Sequence, residues 1–191
     1  GARNLGDVGG KRMSSFYDNE GHYNYDAIFT ANAAVNPATA AANSTLIRSS
    51  SVNSHNWYGI LANFQHKIND NWNFSVGTDD RYYYGYHYQV LSDLYGASGY
   101  KDNSNKNAPN RLVTNGYDYK KLTWNPFGGS TAPMNERLSF SNDGEVLWYS
   151  GFGQVEYSNE KLSAFVQGSV SNQGYQRIDD FVLPGSTQQG Q

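Results

Sequence analysis

Between His55 and Tyr88 apolar and polar positions alternate in two long runs separated by Asn69-Asp70-Asn71. Before this turn Tyr58, Ile60, Ala62, Phe64 and Ile68 share one parity, and Gly59, Asn63, Gln65 and Lys67 the other. After it, Trp72, Phe74, Val76 and Thr78 alternate with Asn73, Ser75, Gly77, Asp79 and Arg81. A period of two over this length predicts paired strands with one apolar and one wet face. The pattern returns later. Leu147, Tyr149, Gly151, Gly153, Val155 and Tyr157 share a parity, with Ser150, Phe152, Gln154 and Glu156 opposite. Past Ser158-Asn159-Glu160-Lys161, Leu162, Ala164, Val166, Gly168 and Val170 alternate with Ser163, Phe165, Gln167, Ser169 and Ser171.

The rest of the chain lacks such alternation. Tyr25 to Ala34 reads as a short helix stopped by Pro37, and Ala38 to Ser54 is small and polar. Residues 89–95 suggest one or two helical turns ended by Gly96, before a long polar connection from Tyr100 to Asn135. Leu138 and Phe140, the turn Asn142-Asp143-Gly144, then Val146 and Trp148 suggest a small hairpin. The expected division is a loop region over 1–54, a hairpin over 55–88, a long loop over 89–142, a second hairpin over 143–178 and a loop or tail over 179–191.

Short turns on one side and long loops on the other are the signature of a transmembrane β-barrel. Each strand exceeds the roughly 9–11 residues needed to cross a bilayer. Trp72 and Tyr157 lie near the short turns and Tyr58, Tyr82, Tyr84 and Tyr149 towards the loops, where aromatic girdles belong. The expected fold is all-β, a fragment of a large transmembrane antiparallel β-barrel: about four strands as two hairpins, with long extracellular loops. Four strands cannot close, because open edges in lipid leave backbone groups unsatisfied. A larger receptor is therefore expected around them.

Composition agrees with exposed strands and wet loops. Only 38% of residues are hydrophobic while 16 are Tyr, which does not describe a Val/Ile/Leu core. A net charge of -3 gives no electrostatic reason to expect nucleic acid. Without cysteine there is no disulfide and no thiolate metal site. No apolar run reaches the roughly 18 residues of a membrane-crossing helix, and the first residues lack the apolar core of a signal peptide. An exported chain would be a mature form or a piece of something longer.

Catalytic chemistry finds little support. Ser54-His55 has no Gly-x-Ser-x-Gly turn, the four histidines show no helical pairing, and Gly151-x-Gly153 lies inside a strand. Asp102, Asn103 and Asn105 resemble calcium ligands, but Lys106 stands where an oxygen is needed, so a solvated turn is expected. No catalytic residue, metal or cofactor is expected, and no enzyme. The wet face carries Asp79, Arg81, Gln154 and Glu156 as lumen-facing structural residues, together with Gln167. Asp80 falls on the apolar parity and is tolerable only above the hydrocarbon. In the Tyr-rich run Arg81–Tyr88, Tyr83 points to the wet side and is a ligand-contact candidate. Trp124 and Phe127 in the long loop are two more.

Trp57-Tyr58-Gly59, Asp79-x-Arg81-Tyr82-Tyr83, Asp143-Gly144-Glu145-Val146, Gln154-Val155-Glu156-Tyr157 and Leu162-Ser163-Ala164-Phe165-Val166 follow one another at spacings with a counterpart. Over about half the chain they resemble successive barrel hairpins of TonB-dependent outer-membrane receptors, of the kind found beside SusC-like glycan importers. The resemblance implies a barrel of about 22 strands with a plug, energised by TonB and importing a bulky nutrient (glycan, peptide or chelate). It further implies the outer membrane of a Gram-negative bacterium. The expected partners are outer-membrane lipid, TonB through parts outside this chain, and a SusD-type surface lipoprotein lid. The alternative is a soluble or surface-attached β-rich glycan-binding module, in which the apolar faces pack on each other.

Overall fold

A computed structural model describes residues 2–3, 7–8, 11–12, 16–117 and 131–181. The strands in chain order are β1 (Ala2–Arg3), β2 (Asp7–Val8), β3 (Lys11–Arg12), β4 (Ile47–Lys67), β5 (Trp72–Asp93), β6 (Tyr100–Asp102), β7 (Arg111–Val113), β8 (Arg137–Ser158) and β9 (Ser163–Asp179), with one helix, α1 (Tyr25–Ala33). The main sheet is antiparallel with order β1-β4-β5-β8-β9, so four long strands make up nearly all of it. It is open: among the described residues β9 has a neighbour on one side only. Two small hairpins, β2-β3 and β6-β7, stand outside it. No described helix is long and apolar enough to cross a membrane, which bears on helices alone.

Both tight turns of the main sheet use the same chemistry. Asn69 Oδ1 accepts the N–H groups of Asn71 and Trp72 at 2.9 and 3.0 Å. Asn159 Oδ1 accepts those of Lys161 and Leu162 at 2.9 and 2.8 Å. An asparagine side chain thus substitutes for a strand partner at each reversal, which fixes where the hairpin turns and hence its register.

The chain separates into two compact units. The first comprises the described residues up to Ser54, Tyr86–Asp143 and those from Asp179 onward; the second comprises His55–Gly85 and Gly144–Ile178.

The first unit holds the buried core. Asn24 caps α1 by accepting the Ala27 N–H at 3.1 Å, and Ile28 and Asn32, four residues apart, turn inward. Asn32 replaces missing strand partners. Its Nδ2 lies 2.8, 3.0 and 3.1 Å from the carbonyls of Leu46, Leu94 and Tyr95, and its Oδ1 accepts the Leu46 N–H at 2.8 Å. Ile28 packs with Phe16, Leu46 and Tyr95; Ile47, Leu91, Tyr100, Val113 and Leu138 form a second cluster; Tyr88, Val90 and Ala132 form a third. Arg137 is buried with its guanidinium 4.2 Å from the Tyr88 ring centre. It donates to the Ala132 carbonyl at 3.0 Å and to Ser141 Oγ at 2.8 Å, and lies 3.6 Å from Asp180.

Three local expectations give way here. Residues 89–93 are strand rather than helix, because Val90 and Leu91 point to opposite sides and each is buried in a different cluster. β5 ends at Asp93, and Tyr95 at φ 46° and Gly96 at φ 80° lie in the turn that follows. The hairpin expected at Asn142-Asp143-Gly144 is absent, since β8 runs straight through those residues. Ser141 is fully buried, its carbonyl accepting the Asp180 N–H at 3.0 Å, so long-range contacts outweigh a local turn preference. Asp102 and Asn105 are also buried rather than solvated. Asp102 lies 3.6 Å from Arg111, whose ionisation burial disfavours and Asp102 favours.

Candidate functional site

The second unit is a sheet whose faces differ, one apolar along most of its length and the other mixed, with Leu61 and Phe165 exposed among polar side chains. On one, Ile60, Phe64, Val76, Val155, Val166 and Val170 project outward, and Ile60 is 68%, Val166 77% and Val170 74% exposed. Within Tyr58–Ile68, Trp72–Thr78, Leu147–Tyr157 and Leu162–Val170, this parity contains no Asp, Glu, Lys or Arg. Aromatic pairs follow the same parity. Trp72 and Tyr157 lie 4.9 Å apart near the turns, Phe64 and Phe74 6.0 Å apart, and Tyr58 and Tyr82 stack at 6.3 Å. Asp80 shares this face, and the Thr78 hydroxyl lies 2.9 Å from Asp80 Oδ2 and 2.8 Å from the Ser150 carbonyl, able to donate to either.

The opposite face carries an open groove of about 670 Å³. Its polar lining is Asn63 and Gln65 from β4, Ser75 from β5, Gln154 from β8, and Gln167 and Ser169 from β9. Phe152 supplies the single aromatic ring. That ring lies on the backbone at Gly77: a Cβ there would come within 2.3 Å of Phe152 Cζ and 2.6 Å of the Ala62 carbonyl oxygen. Gly153 and Gly168 also line the groove, and a Cβ at Gly168 would meet nothing within 4 Å. Chemically, the arrangement offers hydrogen-bond donors and acceptors without charge beside one flat apolar surface.

The expected site residues separate across the second unit. Asp79 and Arg81 pair with each other along one strand, with Arg81 Nε and Nη2 donating at 2.8 and 2.6 Å. Their charges are thereby matched locally rather than across strands. Gln154 lines the groove, whereas Glu156 lies at the turn end beside Asn71 and Trp72. Tyr83 stacks on His55 at 5.9 Å and is not part of the groove lining. Trp124 and Phe127 lie outside the described residues. The convergence of Asn63, Gln65, Ser75 and Phe152 on Gln154 and Gln167 was not anticipated as a site. Its trace in the sequence is that these positions share the wet parity of their strands.

In the first unit, Asp18, Glu20 and His22 bring ligand-capable atoms within 4.8 Å of one another, all exposed. Asp18 is engaged as a turn cap, accepting the N–H groups of His22 and Glu20 at 2.8 and 2.9 Å. The His22 N–H foremost holds its carboxyl below the usual range.

No family model, no curated protein and no solved structure matches this chain. All-β architecture with an open antiparallel sheet is therefore what the molecule itself establishes.

Proposed function

We propose that this chain is part of a TonB-dependent outer-membrane receptor that imports a bulky nutrient, with the second unit forming a stretch of its barrel wall. One observation carries the proposal. Apart from Asp80 towards the loops, an apolar sheet face without Asp, Glu, Lys or Arg stands exposed, with Val166 and Val170 about three-quarters accessible, while the opposite face carries the polar and charged side chains together with Leu61, Phe152 and Phe165.

Soluble proteins rarely leave an apolar patch of more than a few hundred Å² uncovered, whereas a barrel strand alternates apolar outward and polar inward. Residues 55–67, 72–85, 144–158 and 163–178 each exceed the roughly 9–11 needed to span a bilayer. The free side of β9 suits continuation of the sheet, since open edges are not tolerated in lipid. Ring pairs near the turns and around Tyr58–Tyr82 suit two interfacial girdles, and Asp80 beside the latter suits a position above the hydrocarbon. On this reading the short turns face the periplasm and the long connections the exterior. Outer-membrane lipid, TonB and a SusD-type lid are its partners. Against a glycan-binding module in water stands the same apolar face, which nothing among the described residues covers.

Fractionation of cells expressing the full-length protein tests the proposal. Recovery in the outer membrane, released only by detergent, is expected; a full-length protein soluble without detergent would refute it.

A further inference from the structure

The first unit presents a row of aromatic rings to water. Tyr17 and Tyr23 bridge across a short turn with ring centres 5.1 Å apart. From there Tyr23 meets Tyr25 at 6.3 Å, Tyr25 meets Tyr95 at 5.7 Å, and Tyr95 meets Phe29 edge-on at 6.1 Å. Tyr95 is buried and anchors the row, while Tyr25 is 50% and Phe29 47% exposed.

Local structure holds these rings in place. α1 turns Ile28 and Asn32 into the core, which leaves Tyr25 and Phe29, also four residues apart, together on the wet side. Phe29 rests on Gly96, where a Cβ would come within 2.7 Å of its Cδ1. At the other end Asp18 fixes the turn before Tyr23 by accepting the N–H groups of Glu20 and His22. Fixed, exposed tyrosine and phenylalanine rings are what protein interfaces concentrate, since little side-chain freedom is lost on binding.

Charge decides which partner fits. From Phe16 to Ala34 the chain carries Asp18, Glu20 and Asp26, all exposed, and no Lys or Arg. Beside Tyr95, Arg48 and Asp93 lie 3.8 Å apart and offset each other. An anionic partner therefore meets repulsion here, whereas a cation meets ring faces and carboxylates together. Arginine suits both, because its planar guanidinium stacks on a ring while its N–H groups reach a carboxylate.

We infer that this surface docks a second protein through an arginine-bearing segment, with Tyr25 and Phe29 receiving guanidinium planes and Glu20 and Asp26 attracting them. The inference goes beyond the transport reading and holds whichever solvent the second unit meets. Calorimetry on the full-length protein in uncharged detergent tests it, with acetylated and amidated dodecapeptides as probes. These alternate glycine with arginine, lysine, glutamine or glutamate, and maltohexaose serves as a neutral sugar.

The arginine peptide should bind at low salt with Kd on the order of 10–100 μM. The lysine peptide should bind about threefold to tenfold more weakly, and the other probes not measurably. Tyr25→Ala with Phe29→Ala should weaken arginine-peptide binding by about tenfold, and Glu20→Gln with Asp26→Asn by roughly threefold to tenfold. Glu160→Gln removes the same charge from the second unit and should leave binding unchanged. The carboxylate pair keeps the test decisive if the ring variant fails to fold. Failure of the arginine peptide to bind, or a lysine, glutamine or glutamate peptide or maltohexaose binding as tightly, overturns the inference. So does unchanged affinity in the folded ring or carboxylate variants, or an equal loss in Glu160→Gln.

Discussion

Replacing Val166 with arginine opposes two solvents directly. The side chain is 77% exposed on the apolar face of β9, so no protein neighbour needs to move. In water such a surface change stays within about 0.5 kcal/mol. In a barrel wall the depth decides. Val166 lies four residues beyond Leu162 at the turn. At about 3.3 Å per residue and a tilt of about 40°, that is a descent of roughly 10 Å, close to the middle of an apolar band about 25 Å tall. Arginine near that depth costs about 2–3 kcal/mol, a shift of roughly 30- to 150-fold in the folding equilibrium. The control is Gln167→Arg, one residue on and facing the groove, where a wet lumen should keep the cost below about 0.5 kcal/mol. Urea unfolding of the full-length protein in lipid vesicles, followed by tryptophan fluorescence, measures both. Equal stability of the two variants would refute the assignment of faces.

Gly77→Ala should destabilise by about 1–3 kcal/mol, and adding Phe152→Ala should restore only part, because the Ala62 carbonyl remains 2.6 Å from the new Cβ. Denaturant titration of the single and double variants checks this. Asn32→Ala removes contacts to three carbonyls and one N–H at a site 2% exposed, and should cost about 2–4 kcal/mol. Hydrogen exchange across Leu46 and Tyr95 should rise before exchange in the second unit. Tyr95 has its phenol pKa raised above the usual 10.0, chiefly by burial. Its neutral form is favoured when folded, so its stabilisation is complete below pH 10 and lost as pH rises through the raised value. Tyr95→Phe should flatten that alkaline loss in pH-dependent unfolding.

Strand alternation and asparagine turns are local properties, and they made both hairpins legible before any coordinates. The ends of the strands were not legible for a physical reason. Val90 and Leu91 are adjacent apolar residues buried on opposite sides, and such a run looks the same in a buried helix. Asn142-Asp143-Gly144 has strong turn chemistry, yet β8 continues through it because Ser141 is held from across the sheet. Asn32 gave no sequence signal beyond its place one turn after Ile28, since its partners lie far along the chain. The groove was half legible. Parity put Asn63, Gln65, Ser75, Phe152, Gln154 and Gln167 on the wet side, but only register across four strands shows which of them meet. Parity and ring chemistry single out Tyr83, but its stacking on His55 depends on cross-strand register.

The central claim is that the two faces of one sheet meet different solvents. Because this chain has no cysteine, single cysteines introduced into a cysteine-free full-length background can carry a fluorophore at chosen positions. In vesicles of brominated lipid, labels at Val76, Val155 and Val166 should be strongly quenched, while labels at Ser75, Gln154 and Gln167 should remain bright and answer to aqueous iodide. Equal access of iodide to both sets would contradict the account.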